Sequence, residues 1–305
     1  MLDFSVVVPV YNSERTLVEL YTRIASVFQD INASYEVVFV EDNGGDNSWQ
    51  VIKSLKKEFP EHVKAVKLNK NYGQHNAIMC GFAFSKGDKI ITIDDDLQNP
   101  PEEIKKLVET HKVNNADITY GIYTKKQHDF ARNVLSSAAK KSNKIFMKGT
   151  GKGSSFRILN HQIVNKLLEH NVTFIFIDEV VQWYTNKIGF VEVEHKKRLY
   201  NNSGYSTRKL FSLGSDLTYY YTNIPLKLMV YGGMIISFLS FLLALRFILQ
   251  KLIFDVPLGY TSIIVAILFS TSIIVFSLGV IGGYLSRIQL TQNRKPQFHI
   301  DEVLD

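Results

Sequence analysis

Up to Glu103 the chain repeats one pattern: a short β-branched run, a polar loop, then a stretch with helical spacing of its apolar residues. That recurrence restricts it to a layered α/β fold with a mostly parallel sheet and helices on both faces. Phe4-Ser-Val-Val-Val-Pro9-Val-Tyr11-Asn12 is a predicted strand ending in a loop, and Ser13-Glu14 opens a helix expected to reach about Asp30. Tyr35 to Val40 is the next strand, Glu41 to Asp46 its loop and Ser48 to Phe59 its helix; Val63 to Leu68 and Gln74 to Ser85 repeat the unit. The fourth strand, from Lys89 to Ile93, runs into Asp94-Asp95-Asp96-Leu97-Gln98-Asn99, and Pro100-Pro101 opens the following helix.

Parallel strands share a direction, so the loops after the first, second and fourth strands fall at one edge of the sheet, where open α/β folds place ligands. Tyr11 and Asn12, Glu41 and Asp42, and Asp94 to Gln98 are thereby gathered into one expected cleft. In an extended backbone Asp94 and Asp96 project to the same side, a spacing that suits one hard cation. Each loop has a plainer reading too: an acidic turn capping the helix after Pro101, Asn12 as a cap, Asp42 as a turn former and Tyr11 as packing. Their joint placement favours a nucleotide pocket.

After Asp117-Ile-Thr-Tyr-Gly121 the pattern weakens. Residues 123–148 are basic, with Lys125, Lys126, Arg132, Lys140, Lys141, Lys144 and Lys148, and suit a helix from about Asp129 to Phe146 that either grips phosphate or presents a solvated face. Gly149-Thr-Gly151-Lys-Gly153-Ser-Ser155-Phe-Arg157 lacks the spacing of a P-loop. Ile177 to Asn186 and Gly189 to His195 suggest a further helix and strand. The Gly/Ser/Asn-rich stretch from Arg198 to Lys209 then either closes over a charged ligand or serves as a linker.

The apolar residues are unevenly distributed. Leu228 to Leu245 and Leu258 to Ser286 are free of charge, and each meets the roughly 20 residues a spanning helix needs. A transmembrane hairpin over 228–286 (about 228–249 and 260–285) is expected, preceded by interfacial helices at 207–227 and followed by a tail at 287–305. Cations thicken at Lys196-Lys-Arg198, Arg208-Lys209 and Arg294-Lys295 within a net charge of +6, which suits anionic headgroups rather than nucleic acid. The connector between the runs is poor in cations, so both ends of the hairpin are expected in the cytoplasm, with the protein in the inner membrane. Cys80 is the only cysteine, so an intrachain disulfide is excluded and a reducing compartment fits. The start, Met1-Leu-Asp-Phe, enters a strand without a basic leader.

The chain resembles the polyprenyl-phosphate type of family 2 glycosyltransferases, the group of dolichyl-phosphate mannose synthases and undecaprenyl-phosphate glucosyl and aminoarabinosyl transferases. Val8-Pro9-Val10-Tyr11-Asn12, Val40-Glu41-Asp42 with Asp46 and Ser48, Leu68-Asn69-Lys70-Asn71-Tyr72-Gly73-Gln74, Asp94-Asp95-Asp96-Leu97-Gln98-Asn99-Pro100-Pro101-Glu102, and Ser203-Gly204-Tyr205-Ser206 with Lys209-Leu210 carry the likeness. It implies a GT-A fold over 1–206 and inverting transfer of a monosaccharide from a UDP- or GDP-type sugar to a polyprenyl phosphate. Asp94, Asp96 and Gln98 would hold Mg²⁺ or Mn²⁺, and Pro9, Tyr11, Asn12, Asp42, Asn71, Gln74, Asp94 and Asp95 would bind the donor. With Asp96 as the central catalytic residue, the cations Lys126, Arg132, Arg157 and Arg198 would serve the phosphates, and Ser206, Arg208 and Lys209 the lipid phosphate or membrane. Relatives also suggest a homo-oligomer.

Departures are visible. Glu41-Asp42-Asn43-Gly44 stands where relatives have Asp-Asp-Gly-Ser, Tyr123 and Lys126 replace the arginines that follow Gly121, and Ser155 replaces an Asp before Phe156-Arg157. A phosphate acceptor needs no base there, because its second pKa is about 6. Were the acceptor a sugar hydroxyl on a lipid-linked saccharide, Asp178 or Glu179 would be the candidate base. A catalytically silent membrane scaffold is the remaining alternative.

Overall fold

The computed structural model describes residues 2–123, 154–170, 175–196, 260–292 and 296–305, with scattered positions between 229 and 253. The chain divides into two compact units, Met1–Gly204 with Arg294–Asp305, and Tyr205–Asn293.

In the first unit the expected alternation is realised. β1 (Phe4–Val10), α1 (Leu17–Asp30), β2 (Tyr35–Glu41), α2 (Ser48–Glu58), β3 (Val63–Leu68), α3 (Gln74–Phe84) and β4 (Lys89–Thr92) follow one another. A short 3-10 turn at Pro101–Glu103 leads into α4 (Ile104–Val113), then β5 (Ile118–Tyr123), β6 (Arg157–Asn160), α5 (His161–Leu168), α6 (Ile177–Tyr184) and β7 (Ile188–Val193). Strands buried on both faces read as continuous apolar runs, and Val6, Val7, Val8, Val37, Val38, Phe39 and Val40 are all at zero exposure.

The sheet has the order β7-β5-β6-β4-β1-β2-β3-β8. β1 pairs in parallel with both β2 and β4, whereas β6 runs antiparallel between β4 and β5. The chain therefore moves outward from β1 to β3 and returns to the other side of β1 for β4. This reversal makes the carboxyl ends of β1 and β4 the switch point of the sheet.

Two strands were not foreseen. β6 is only four residues long with a buried Arg157, too short and too polar to show a strand period. β8 (Ile300–Leu304) lies in what the sequence suggested only as a tail, and it pairs antiparallel with β3 at the sheet edge. It is pinned by Glu302, which accepts from Trp49 Nε1 at 3.0 Å and pairs with Lys53 Nζ at 2.8 Å. An otherwise bare edge strand is thus covered.

In the second unit, α7 runs over Tyr260–Gln292. Among the described residues no helix is long and apolar enough to cross a membrane. The basic helix expected at 129–146 and the interfacial helices at 207–227 lie outside the described residues.

Candidate active site

β4 stops at Thr92, and Asp95 and Asp96 lie in a turn rather than in a strand. The alternation argument for Asp94 and Asp96 therefore gives way to turn geometry. Leu97 adopts a left-handed φ of 59° while keeping its side chain 2 % exposed in the core, and Asp96 Oδ1 accepts from Gln98 N at 3.1 Å. A branched residue enters that region only at a cost, which burial of Leu97 offsets.

The loop is tied to several other parts of the chain. Asp94 Oδ1 accepts from Gln74 Nε2 at 2.6 Å and Oδ2 from Ser155 Oγ at 2.5 Å. Asp95 turns toward the loop after β1, accepting from Tyr11 N at 2.9 Å and Ser13 Oγ at 2.6 Å. Lys196 N donates to Gln98 O at 2.8 Å, and Tyr123 Oη donates to Asn99 Oδ1 at 2.8 Å while its ring packs 4.2 Å from that of His195. Glu102 receives a two-pronged bond from Arg23, Nε at 2.8 Å and Nη2 at 2.6 Å. The Pro-Pro-Glu end of the motif is thus a staple to α1, a geometry that favours arginine.

The first two loops are stitched together in the same way. Asp46 accepts from Glu14 N and Ser48 N, both at 3.0 Å, and Ser13 N donates to Ser48 Oγ at 2.9 Å. Asn12 Oδ1 accepts from Gly45 N at 2.6 Å; a Cβ on Gly44 would stand 2.7 Å from that same oxygen, so glycine is required there. Asp42, 3 % exposed, holds the loop before α3 by accepting from Tyr72 N at 2.7 Å and Gly73 N at 2.8 Å, with Gly73 at φ 88°. Burial pushes its carboxyl up to about 6 against the pull of those two amides. Tyr11 is half exposed at the mouth.

The structure brings Tyr11, Asn12, Asp42, Gln74, Asp94, Asp95, Asp96 and Gln98 to one end of the sheet, with Pro9 in β1 beneath and Asn71 exposed beside them. Three of the expected side chains are engaged within the protein itself. Asp95, read as a donor-binding residue, spends its carboxylate on the β1 loop. Arg157, read as a phosphate cation, is 1 % exposed and its Nη1 is ion-paired with Asp178. Asp178, read as a base for a hydroxyl acceptor, is taken by that same pair. Lys126, Arg132, Arg198, Ser206, Arg208 and Lys209 lie outside the described residues. Ser13, Ser155 and Lys196 were missed as parts of the site; their contacts join residues 82, 61 and 98 positions apart, which no local pattern reveals.

Hard oxygen donors concentrate here, the chemistry Mg²⁺ or Mn²⁺ selects. Asp95 is pushed up to about 7, chiefly by burial and further by the charges of Asp94 and Asp96, against Ser13 and Tyr11. That crowding of negative charge is what a bound cation would relieve. Among the described residues no group of three or more His, Cys, Asp or Glu side chains is arranged to hold a metal. Two carboxylates and an amide fit instead a cation that takes its remaining ligands from a substrate diphosphate.

A parallel sheet with its acidic turn at the switch point is the frame of a nucleotide-sugar enzyme, and the family model for glycosyl transferase family 2 matches residues 5–175. The chain belongs to that family. It is 34% identical to the undecaprenyl-phosphate 4-deoxy-4-formamido-L-arabinose transferase of Proteus mirabilis over 98% of this chain and 93% of that protein. The Shewanella sediminis protein of the same description is also 34% identical, over 99% of this chain and 93% of its own. Among solved structures, glucosyl-3-phosphoglycerate synthase from Mycobacterium tuberculosis, in complex with Mn²⁺, UDP-glucose and phosphoglyceric acid, aligns with a TM-score of 0.52 at 15% identity, covering 72% of this chain and 78% of that one. Mannosyl-3-phosphoglycerate synthase from Rubrobacter xylanophilus gives 0.52 at 14% identity, covering 76% and 75%. These two share the fold.

Proposed function

We propose that this glycosyltransferase moves a monosaccharide from a nucleoside-diphosphate sugar to undecaprenyl phosphate at the cytoplasmic face of a membrane. The observation that carries the reading is the acidic turn, locked at the switch point between the nucleotide-side loop through Asp95 and the α3 and β6 contacts of Asp94. The lipid is supported by relatives that match along nearly the whole chain and are named for transfer to undecaprenyl phosphate.

Asp42 and the Tyr11–Asn12 loop shape the nucleoside side, and Asp94, Asp96 and Gln98 would hold Mg²⁺ or Mn²⁺ on the diphosphate. The cation, when bound, supplies Lewis-acid neutralisation of the leaving nucleoside diphosphate. An oxygen of the acceptor phosphate attacks the anomeric carbon opposite the leaving group; the carbon–oxygen bond to the diphosphate breaks as the new one forms, with inversion. No protein base is required, since the acceptor is already ionised. Pairing with Arg157 engages Asp178, one of the two candidate bases for a hydroxyl acceptor, and leaves Glu179 as the other. Arg198 stands two residues beyond Lys196, whose backbone is bonded to Gln98, and it is the candidate cation for the phosphates.

The membrane part of the reading rests on sequence and connectivity. α7 is 33 residues long, about 50 Å at 1.5 Å per residue, and residues 260–286 of the sequence hold no Asp, Glu, Lys or Arg. Both ends of the intervening segment belong to the first unit, which fits an even number of crossings.

Purified protein in detergent, with Mn²⁺, labelled nucleotide sugars including a 4-deoxy-4-formamido-L-arabinose donor, and undecaprenyl phosphate tests the assignment. Acid-labile labelled lipid is the expected product. Label appearing only on a saccharide-primed lipid would replace this reading with hydroxyl transfer, and no transfer from any donor in the panel would leave the silent scaffold.

A further inference from the structure

We propose that Arg157 and Asp178 are positioning residues that aim the Asp94 carboxylate, acting through two of its hydrogen-bond donors, Ser155 and Gln74. This rests on the reading of Asp94 as part of a cation–diphosphate site.

Arg157 lies in β6 at the register position of Thr92, the last residue of β4, and opposite Tyr120 of β5. Its guanidinium is 1 % exposed, and Asp178 in the first turn of α6 is its ion-pair partner. Thr92 Oγ1 is bonded to the carbonyl of Ser155, two residues before Arg157, and Ser155 Oγ donates to Asp94 Oδ2 at 2.5 Å. Gln74, a second donor to Asp94, precedes His75, whose ring packs edge-on at 4.9 Å against Phe176, the N-cap residue of α6. Both routes to Asp94 therefore start from the elements that this ion pair joins. The Tyr120 phenol and the His75 imidazole both feel the two charges.

Stability alone does not account for the pair. A buried ion pair loses about as much in desolvation as it gains, and an apolar pair of similar volume is often equal or better. This one is also incomplete: Arg157 Nε and His75 Nδ1 are buried without a hydrogen-bond partner among the described residues. What a fixed guanidinium supplies is direction. It holds β6 and the start of α6 in one register, and with them the two groups that clamp Asp94.

The test uses the full-length protein in detergent and four variants: R157M, D178L, the double R157M/D178L, and S155A. Thermal midpoint, Mn²⁺ binding by electron paramagnetic resonance, and kcat and KM for the donor are read for each. Either single buried change is expected to lower the midpoint sharply because it strands one charge. The double variant is expected to recover the midpoint while binding Mn²⁺ about tenfold more weakly and turning over about tenfold more slowly, as outer-shell changes do. S155A, which leaves the buried pair intact, should show the same losses at an unchanged midpoint. Wild-type Mn²⁺ affinity and kcat in S155A would overturn the proposal, as would a double variant with wild-type midpoint, affinity and kcat. A wild-type protein that binds no Mn²⁺ would overturn the site reading beneath it, whereas wild-type binding with unaltered variants would overturn the positioning role alone.

Discussion

Asp94, Asp95 and Asp96 are chemically identical and do different work. Asp95 is bound to Tyr11 and Ser13, Asp94 is clamped by Gln74 and Ser155, and Asp96 shapes the turn at Gln98. Asp96→Asn should cut transfer at least a hundredfold while the thermal midpoint moves little; a variant with full activity would remove Asp96 from the cation site. Asp42 yields a pH prediction. Its folded pKa, about 6, lies above the ordinary 3.8, so its protonated form favours folding below pH 4 and that contribution is lost as pH rises through 6. The stability of wild type relative to Asp42→Asn, followed by denaturant unfolding, should fall by about 2 kcal/mol between pH 4 and pH 7, most of a shift of about two units at 1.36 kcal/mol each. A flat difference would mean that Asp42 is wetter than its burial indicates. The sequence named all four aspartates as site candidates, but nothing in it distinguished the structural Asp95 from its neighbours.

At the scale of elements, β1 to β4 were legible because both their strand period and their polar ends are local properties. β6 and β8 were not, because Arg157 interrupts the apolar pattern of β6, and β8, with Asp301 and Glu302 among its five residues, owes its existence to the strand it pairs with. β8 pairs with β3 and is fastened to α2 through Glu302. Removing Ile300 to Asp305 should therefore lower the thermal midpoint and bare the β3 edge, giving concentration-dependent association on size-exclusion chromatography. An unchanged midpoint and elution profile would show the strand to be dispensable. The Arg23–Glu102 staple is partly exposed, so Glu102→Gln should cost no more than about 1 kcal/mol by the same unfolding measurement, despite its place in the most distinctive motif of the chain.

For the whole molecule, the decisive feature is a chain that leaves the catalytic unit after Gly204 and rejoins it at Arg294. If residues 205–293 cross a bilayer as a hairpin, tags at either terminus should be accessible from the same side, and Ile267→Arg with Phe276→Arg should reduce recovery in the carbonate-washed membrane fraction. Tags on opposite sides would rule out the hairpin. The sequence by itself determined the alternating α/β frame, the edge where the polar loops gather and the acidic turn, since each follows from short-range pattern and from the direction parallel strands must share. Tertiary structure alone decided which of those polar side chains tie one element to another. It also decided that Arg157 and Asp178 are partners and that the last residues close the sheet. These outcomes depend on groups far apart in the chain meeting in space, and the energy of such a meeting is written in no single segment.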